Sequence, residues 1–215
     1  MIGLPNNDLE QYLDLHTTPE DVILAELNRF TNLTARNPRM LSGNQQGLFI
    51  QMLCKMLKPH RVLEIGTFTG YSAICIARGI MPNGILDTIE VNDELEDTIL
   101  QYFEKAGVAK NINLHIGDAL SIISTLDEIY DLVFIDGEKR EYIEYYNQIF
   151  PKVKIGGFII ADNVLWDGKV LNPDPFDAQT NSIVAFNQMV QNDNRVQNVI
   201  LPMRDGLMLM QKVCE

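Results

Sequence analysis

Apolar residues fall into short runs over most of this chain, and helix-like stretches separate the runs. Strand-like runs cover residues 61–65, 85–90, 112–116, 131–135 and 157–161. Helical patterns lie between them, at about residues 71–80, 93–106, 119–126 and 139–150. The stretches 132–135 and 158–160 are apolar throughout, as in strands that are covered on both faces. The alternation of strand and helix predicts a parallel sheet with helices on both sides.

The amino-terminal part, residues 1–58, carries helical spacing and little strand pattern. Thr18 is a suitable helix cap, followed by Pro19 and then by acids near the positive end of the helix dipole. Ser42 predicts the cap of a further helix, with Gln45 three residues later as its capping-box partner. We therefore expect extra helices in front of the sheet.

The carboxyl-terminal part changes pattern again. Residues 195–201 and 207–213 flank a turn and predict a final antiparallel hairpin. With a length of 215 residues, one domain is expected over 1–215, in which a helical extension (1–58) covers a cofactor-binding core (59–215). The predicted fold is α/β: a doubly wound, Rossmann-like, mostly parallel sheet with helices on both faces.

Composition narrows the functional classes. The net charge of −12 argues against broad binding to nucleic-acid phosphates, which needs clustered Lys and Arg. Three widely spaced cysteines without a C-x-x-C pair favour a reducing cytoplasm. Residues 1–8 lack the pattern of a secretory signal, and no apolar run is long enough to predict a membrane span.

The stretch 61–72 holds an apolar run, a glycine-bearing turn and the start of a helical pattern. Glu64 lies near the strand end, and Phe68 stands where a dinucleotide fingerprint needs its second glycine. A pyrophosphate would favour backbone N–H groups with no acid beside them. The turn therefore favours a cationic or zwitterionic ligand without phosphate, and S-adenosylmethionine is the common cellular molecule of that kind.

Polar side chains end nearly every strand-like run, at the edge where open parallel sheets bind ligands. They are Glu64, Glu90, Asp118, Asp136, Asp162 and Asn163. An acid at the end of the second strand suits the two hydroxyls of a ribose. Asp118 is equally well explained as a simple helix cap.

Two carboxylates and an amide, Asp136, Asp162 and Asn163, follow strands that are expected to be neighbours. Hard oxygen ligands select Mg²⁺, Ca²⁺ or Mn²⁺, with Mg²⁺ preferred here. Two unrelated helix caps and a turn would give the same spacing. Lys139 can reach the same pocket, and a neighbouring cation would lower its pKa, as a base requires. The alternative for Lys139 is a solvated side chain.

Other candidates carry less weight. His16, His60 and His115 are scattered, so surface or core positions are expected for them. Met40 suits a substrate mouth, although core filling is the usual role of such a methionine. Trp166 lies in the irregular stretch 162–179, where an aromatic ring can cover a flat substrate.

Five motifs in order resemble the metal-dependent S-adenosylmethionine O-methyltransferases, the group of catechol and caffeoyl-CoA O-methyltransferases, and most closely their small bacterial members. The similarity runs from about residue 38 to the carboxyl terminus. The motifs lie at residues 63–72, 88–90, 115–119, 134–139 and 156–166. Residues 1–35 and the loop 167–180 match nothing recognisable.

The resemblance implies a role for each matching position. The methionine part of the cofactor would meet Glu64, Gly66, Thr67, Phe68 and Ser72. Glu90 would hold the ribose, and Asp118 and Ala119 the adenine. Asp136, Asp162 and Asn163 would bind the metal, and Lys139 matches the proposed base. Met40 and Ser42 would belong to the segment that closes over cofactor and substrate.

These roles predict methyl transfer to a hydroxyl of a small acceptor with vicinal oxygens. The resemblance also implies that the enzyme is a homodimer. Three alternatives stay open: a transfer-RNA hydroxyuridine O-methyltransferase, using a local basic patch (Arg29, Arg36, Arg39); a nicotinamide-dependent oxidoreductase; and a non-catalytic protein that binds a nucleoside cofactor.

Overall fold

The structure, a computed structural model, describes residues 7–215, which form one seven-stranded sheet with the order β3-β2-β1-β4-β5-β7-β6. The strands are β1 Arg61–Ile65, β2 Ile85–Glu90, β3 Ile112–Ile116, β4 Tyr130–Ile135, β5 Val153–Ala161, β6 Val196–Leu201 and β7 Leu207–Lys212. The first five are parallel, and β7 runs antiparallel to both β5 and β6. The predicted fold class and the final hairpin are confirmed.

Eight α-helices surround the sheet in the described part of the chain. They are α1 Asn7–Leu15, α2 Val22–Thr34, α3 Gly43–Leu57, α4 Tyr71–Ala77, α5 Glu96–Lys105, α6 Ala119–Thr125, α7 Tyr142–Ile149 and α8 Ala178–Gln191. Residues 1–6, on which the prediction of no secretory signal partly rests, lie outside the described residues. Among residues 7–215 no helix has the length and apolar character needed to cross a bilayer.

Two apolar cores cover the two faces of the sheet. One lies under α2 to α5 and includes Leu27 and Ile74. The other lies under α6 to α8 and includes Ile123, Tyr142 and Phe186. Because both faces are buried, β1 and β4 are apolar on either side, which is why their positions could be recognised as continuous runs.

Several element boundaries differ from the prediction. Asp21, rather than Thr18, caps α2, because its carboxylate accepts hydrogen bonds from the backbone N–H groups of Ile23 and Leu24. The Ser42 side chain makes no capping bond, and Gln45 donates instead to Asp14 at 3.0 Å, so the predicted capping box is wrong. The strand β5 begins at residue 153 rather than 157, and α8 had no predicted counterpart.

The order in which strands are added to the sheet reverses between β1 and β4. From β1 the chain first adds β2 and β3 on one side, and then returns to add β4 and β5 on the other. The carboxyl ends of β1 and β4 are therefore the switch point of the sheet, and open α/β sheets bind their ligands in the crevice outside such a point.

Candidate functional site

The turn after β1 lies directly against the end of β4. Gly66 has φ +100°, and a Cβ atom at this position would lie 2.3 Å from the backbone oxygen of Asp136. No other residue type fits such a close approach, so glycine is required there. The contact brings the predicted cofactor turn next to the first predicted metal ligand.

Glu64 lies fully buried at the end of β1. Its Oε2 accepts a hydrogen bond from Thr88 Oγ1 at 2.5 Å, whereas its Oε1 is buried without a partner among the described residues. Burial raises the pKa of Glu64 to about 8, although the neighbouring hydroxyls of Ser72 and Thr88 oppose the shift. A buried, unpaired carboxyl oxygen is costly, and a cationic ligand group would relieve that cost.

The loop residues around Glu64 are also ordered. Thr67 is buried, and its hydroxyl lies 2.6 Å from that of Thr88. Ser72 is buried in the first turn of α4. Phe68 adopts a left-handed conformation with φ +51°, which directs its backbone N–H to the Glu90 carboxylate. These predicted cofactor residues therefore line one turn.

Glu90 ends β2 and is 8% exposed. Its two carboxylate oxygens accept backbone N–H bonds from Phe68 at 2.7 Å and from Asn92 at 2.9 Å. Burial raises the pKa of Glu90 despite these bonds. Each carboxylate oxygen can accept more than one hydrogen bond, so Glu90 has capacity left for a ligand beside the glycine turn.

Asp118 is exposed and caps α6, because its Oδ2 accepts the backbone N–H of Ser121 at 2.8 Å. The helix-cap interpretation of Asp118 is therefore confirmed. Contact between adenine and the pair Asp118–Ala119 stays a prediction.

Asp136 follows β4 and pairs with Lys139, whose Nζ donates to Asp136 Oδ1 at 2.7 Å and to the hydroxyl oxygen of Tyr142 at 2.8 Å. Burial alone would lower the pKa of Lys139, but the charge of Asp136 outweighs it and raises that pKa. In this state Lys139 is a stable ammonium. The expected fall in its pKa therefore requires that a bound cation first neutralise Asp136.

Asp162 and Asn163 follow β5, the strand that pairs with β4. Asp162 is 4% exposed, and its pKa is raised to about 6, mainly by burial and then by the nearby charge of Asp136. Asn163 has φ +59°, and its backbone N–H donates to Asp162 Oδ1 at 2.6 Å. The structure therefore brings the predicted metal ligands to one edge of the sheet.

The turn between β6 and β7 also reaches this edge, which the sequence did not indicate. Arg204 donates to the backbone oxygens of Leu41, at 2.9 Å, and of Ser42. Asp205 Oδ2 accepts from Asn163 Nδ2 at 3.4 Å, and its Oδ1 accepts the backbone N–H of Asp167. The turn thus fastens the segment before α3 and the loop after β5 beside the carboxylates.

The two predicted acceptor contacts, Met40 and Trp166, lie on the loops around this edge. Met40 is 56% exposed in a short 3-10 turn, so it is not a core methionine. Trp166 is half-buried, with its ring Nε1 enclosed and unpartnered among the described residues. Its backbone φ of +47° places it in the left-handed region.

The histidines lie elsewhere. His115, on β3, has its Nε2 3.1 Å from Oδ1 of Asp87 on β2. His16 Nδ1 is 2.7 Å from the backbone oxygen of Tyr12. Within residues 7–215 no group of three or more His, Cys, Asp or Glu side chains is arranged to hold a metal. The predicted ligand set has a different composition, two carboxylates and one amide.

Comparison with known proteins extends the similarity to most of the chain, including residues before the predicted start near residue 38. A protein family described as O-methyltransferase matches residues 14–213. The chain is similar to caffeoyl-CoA O-methyltransferase 1 of Zea mays, with 32% identity over 227 residues that cover 98% of this chain and 86% of the relative.

Solved structures show the same architecture. The O-methyltransferase TomG of Streptomyces achromogenes, which is involved in tomaymycin synthesis and was solved in complex with SAM, matches with a TM-score of 0.89 and 29% identity over 97% of each chain. An O-methyltransferase of Bacillus cereus in complex with SAH matches with a TM-score of 0.88 and 27% identity, covering 95% of this chain and 97% of that one.

Proposed function

Because this chain belongs to the O-methyltransferase family and is an S-adenosylmethionine-dependent O-methyltransferase, we propose that it methylates a hydroxyl of a small acceptor whose two vicinal oxygens bind a divalent cation. The observation that carries the proposal is the close approach of Gly66 to Asp136, with Asp162 beside it. The cofactor turn and the carboxylates share one crevice.

The cofactor fits the residues on the β1 side of this crevice. We assign the amino and sulfonium charges of the methionine part to the region of Glu64, whose buried Oε1 has no partner among the described residues. Glu90 would accept hydrogen bonds from the ribose hydroxyls. S-adenosylmethionine supplies the methyl group on a positively charged sulfur. Thr67, Phe68 and Ser72 would complete the protein turn that surrounds its methionine part.

A divalent cation fits the residues on the β4–β5 side. The pKa of Asp136 is raised by burial, and the charges of Lys139 and Arg204 compensate only in part. Because the charge of Asp136 raises the pKa of buried Asp162, a dication held by their oxygens would relieve the repulsion, and such oxygens suit Mg²⁺, with Mn²⁺ or Ca²⁺ as alternatives. When bound, such a cation lowers the pKa of a coordinated hydroxyl.

Lys139 would act on the acceptor oxygen. Lys139 is 9% exposed, and its ammonium donates to Asp136 and Tyr142, so its position is fixed. Lys139 would first lose its proton to solvent and, as the neutral amine, would then accept the proton of the acceptor hydroxyl. Orientation of oxygen, methyl carbon and sulfur in one line contributes about 7–11 kcal/mol in well-placed systems.

Side-by-side methylation assays test the proposal. We expect labelled methyl transfer from S-adenosylmethionine to a catechol or a caffeoyl ester with Mg²⁺, and loss of transfer in excess chelator. A monophenol that lacks the second oxygen is the matched control acceptor and should react poorly. Equal transfer in chelator, or equal transfer to the monophenol, would contradict the metal-bridged acceptor.

Transfer RNA is the second acceptor to include in the same assays. Arg29, Arg36 and Arg39 are exposed on and just after α2, ahead of the segment that carries Met40. The net charge of −12 opposes nucleic acid in general. Methylation of transfer RNA without methylation of any catechol would favour this alternative. The nicotinamide-dependent and non-catalytic alternatives receive no support from the comparisons.

We further propose a homodimer that forms through the amino-terminal helices. Tyr12, Leu15 and Val22 are 58%, 74% and 80% exposed, which is unusual for apolar side chains so close together in sequence. Light scattering of wild type and Leu15→Glu tests this, with a change from dimer to monomer expected.

The free cysteines, Cys54, Cys75 and Cys214, support the proposal of a reducing cytoplasm.

A further inference from the structure

Gln46 is a buried amide that none of the motifs pointed to. It lies in the first turns of α3 and is fully buried. Its Nε2 donates a hydrogen bond to Asp162 Oδ2 at 2.6 Å, across 116 residues of sequence. The amide therefore links a helix of the amino-terminal part to a carboxylate at the edge of the sheet.

The backbone around Gln46 is fixed from two sides. A Cβ atom at Gly47 would lie 2.7 Å from the Tyr71 ring and 2.8 Å from Cys75 Sγ, so α3 packs closely on α4 at this residue. Just before α3, Arg204 donates to the backbone oxygens of Leu41 and Ser42. A side chain anchored on such a helix turn has little freedom, and its amide can hold another group in place.

The two oxygens of Asp162 have different environments. Oδ2 receives the Gln46 amide, and Oδ1 receives the backbone N–H of Asn163 at 2.6 Å. Together these donors determine the orientation of the carboxylate plane. Partners that orient a metal-binding carboxylate in this way change metal affinity when they are lost.

Only one of the two polar atoms of the Gln46 amide has a hydrogen-bond partner among the described residues. Its Oε1 is buried and has no hydrogen-bond partner among the described residues. A buried amide oxygen without a donor is costly, and a water molecule that a divalent cation retains would supply one. The unpaired acceptor is thus a second observation that points toward the same edge of the sheet.

We propose that Gln46 is a positioning residue for the divalent cation: it holds the Asp162 carboxylate in its cation-binding orientation through Nε2 and leaves Oε1 for a cation-bound water. This inference rests on the proposed function. Gln46 does not touch the acceptor or the cofactor in this assignment. It acts through Asp162.

Mn²⁺ binding, measured without acceptor by calorimetry and by the electron paramagnetic resonance of free Mn²⁺, tests this role. We expect Gln46→Met to weaken Mn²⁺ binding by about 10–100-fold, the range seen when a partner of a metal ligand is removed. Gln45→Met is the matched control, because the neighbouring Gln45 lies on the same helix and donates to Asp14 instead. It should bind Mn²⁺ like wild type.

The outcomes separate this inference from the function on which it rests. If wild type binds Mn²⁺, Asp162→Asn loses it and Gln46→Met keeps wild-type affinity, the role of Gln46 is overturned and the metal site stands. If wild type binds no Mn²⁺, the proposed metal site itself is wrong. Binding of S-adenosylhomocysteine in chelator verifies that each variant is folded.

A crystal structure of the wild type with Mn²⁺ covers the case in which Gln46→Met does not fold. The Gln46 Nε2 should remain within about 3.2 Å of the Asp162 carboxylate while the cation is bound. Separation of the two groups, with the cation still on Asp162, would overturn the positioning role.

Discussion

The Lys139 ammonium lies 2.7 Å from Asp136 Oδ1, on the edge of the sheet that the glycine turn approaches. This pairing raises the pKa of Lys139, the opposite of what a base needs. In the proposed mechanism, the protonation state of Lys139 therefore depends on the charge of Asp136. The charge of ionised Asp136 keeps the proton on Lys139, and a divalent cation held by Asp136 would weaken that attraction and favour the neutral amine.

Replacement of Lys139 tests this role. We expect Lys139→Met to lower kcat by about 10²–10⁴-fold, because proton transfer by a positioned side chain contributes in this range. The affinity for S-adenosylhomocysteine should change little. The control is Arg140→Met, since Arg140 is exposed and pairs only with Glu138 in the described structure. A kcat within a few-fold of wild type for Lys139→Met would exclude the lysine from the chemistry.

Glu90 should determine cofactor affinity. Glu90→Gln removes a charged acceptor from the proposed ribose site, and hydrogen bonds to charged groups contribute about 1.5–3 kcal/mol. We therefore expect a Kd for S-adenosylhomocysteine about 10–100-fold weaker, measured by calorimetry. Glu94→Gln, an exposed acid four residues later, is the control. Unchanged affinity in Glu90→Gln would remove Glu90 from the ribose site.

The pKa of about 8 for Glu64 predicts how stability depends on pH. The folded protein keeps a proton on Glu64 that the unfolded chain loses near its ordinary pKa of 4.5. This favourable contribution is complete below that value and is lost as pH rises through about 8. Relative to Glu64→Gln, the ligand-free wild type should lose up to about 5 kcal/mol of unfolding free energy over this range.

Urea denaturation at pH 5 and pH 9 measures the effect of Glu64. The wild type should be destabilised between these two pH values, whereas Glu64→Gln should show a smaller decrease. Glu94→Gln, which removes an exposed acid, should follow the wild type. If the stability of wild type and of Glu64→Gln responds equally to pH, then Glu64 is already ionised in the ligand-free folded protein. A cationic ligand would then not be needed to stabilise its charge.

Asp87 should matter for stability but not for ligand binding. It is 3% exposed on β2, three residues before Glu90, and it lies 2.9 Å from Asn113 Nδ2, 3.1 Å from His115 Nε2 and 3.5 Å from an Arg61 nitrogen. Asp87→Ala leaves Asn113 Nδ2 without this acceptor, whereas Arg61 keeps its ion pair with Glu128 at 2.7 Å, so we expect a loss of about 1–3 kcal/mol in the free energy of unfolding.

The control for Asp87 is Asp127→Ala, which truncates an exposed acid in a loop. This variant should unfold like wild type, within about 0.5 kcal/mol. Both variants should bind S-adenosylhomocysteine with wild-type affinity. A weaker affinity for S-adenosylhomocysteine in Asp87→Ala alone would show that the contacts of Asp87 on β2 are coupled to the cofactor turn.

The sequence predicted the parts of the fold that depend on local pattern. The strand 61–65 and the glycine turn were recognisable because a fully covered strand is apolar on both faces and a close backbone approach requires glycine. Helix starts were harder to place. Asp21 caps α2 in place of Thr18, because several neighbouring residues offer similar capping chemistry and tertiary packing selects one of them.

Long-range partners could not be predicted from the sequence. Gln46 meets Asp162 and Arg204 meets Ser42 only after folding, across 116 and 162 residues. Nothing in a single sequence distinguishes these two side chains from other polar residues on a helix or in a turn. The raised pKa of Lys139 has the same origin, since it depends on the distance to a carboxylate that a motif does not report.

Anomalous diffraction from crystals grown with Mn²⁺ and S-adenosylhomocysteine tests the central claim most directly. The account predicts one anomalous peak within bonding distance of side-chain oxygens of Asp136, Asp162 and Asn163, with the cofactor sulfur on the Gly66 side of the crevice. An enzyme that methylates its acceptor while the crystals show no Mn²⁺ at these three residues would contradict it.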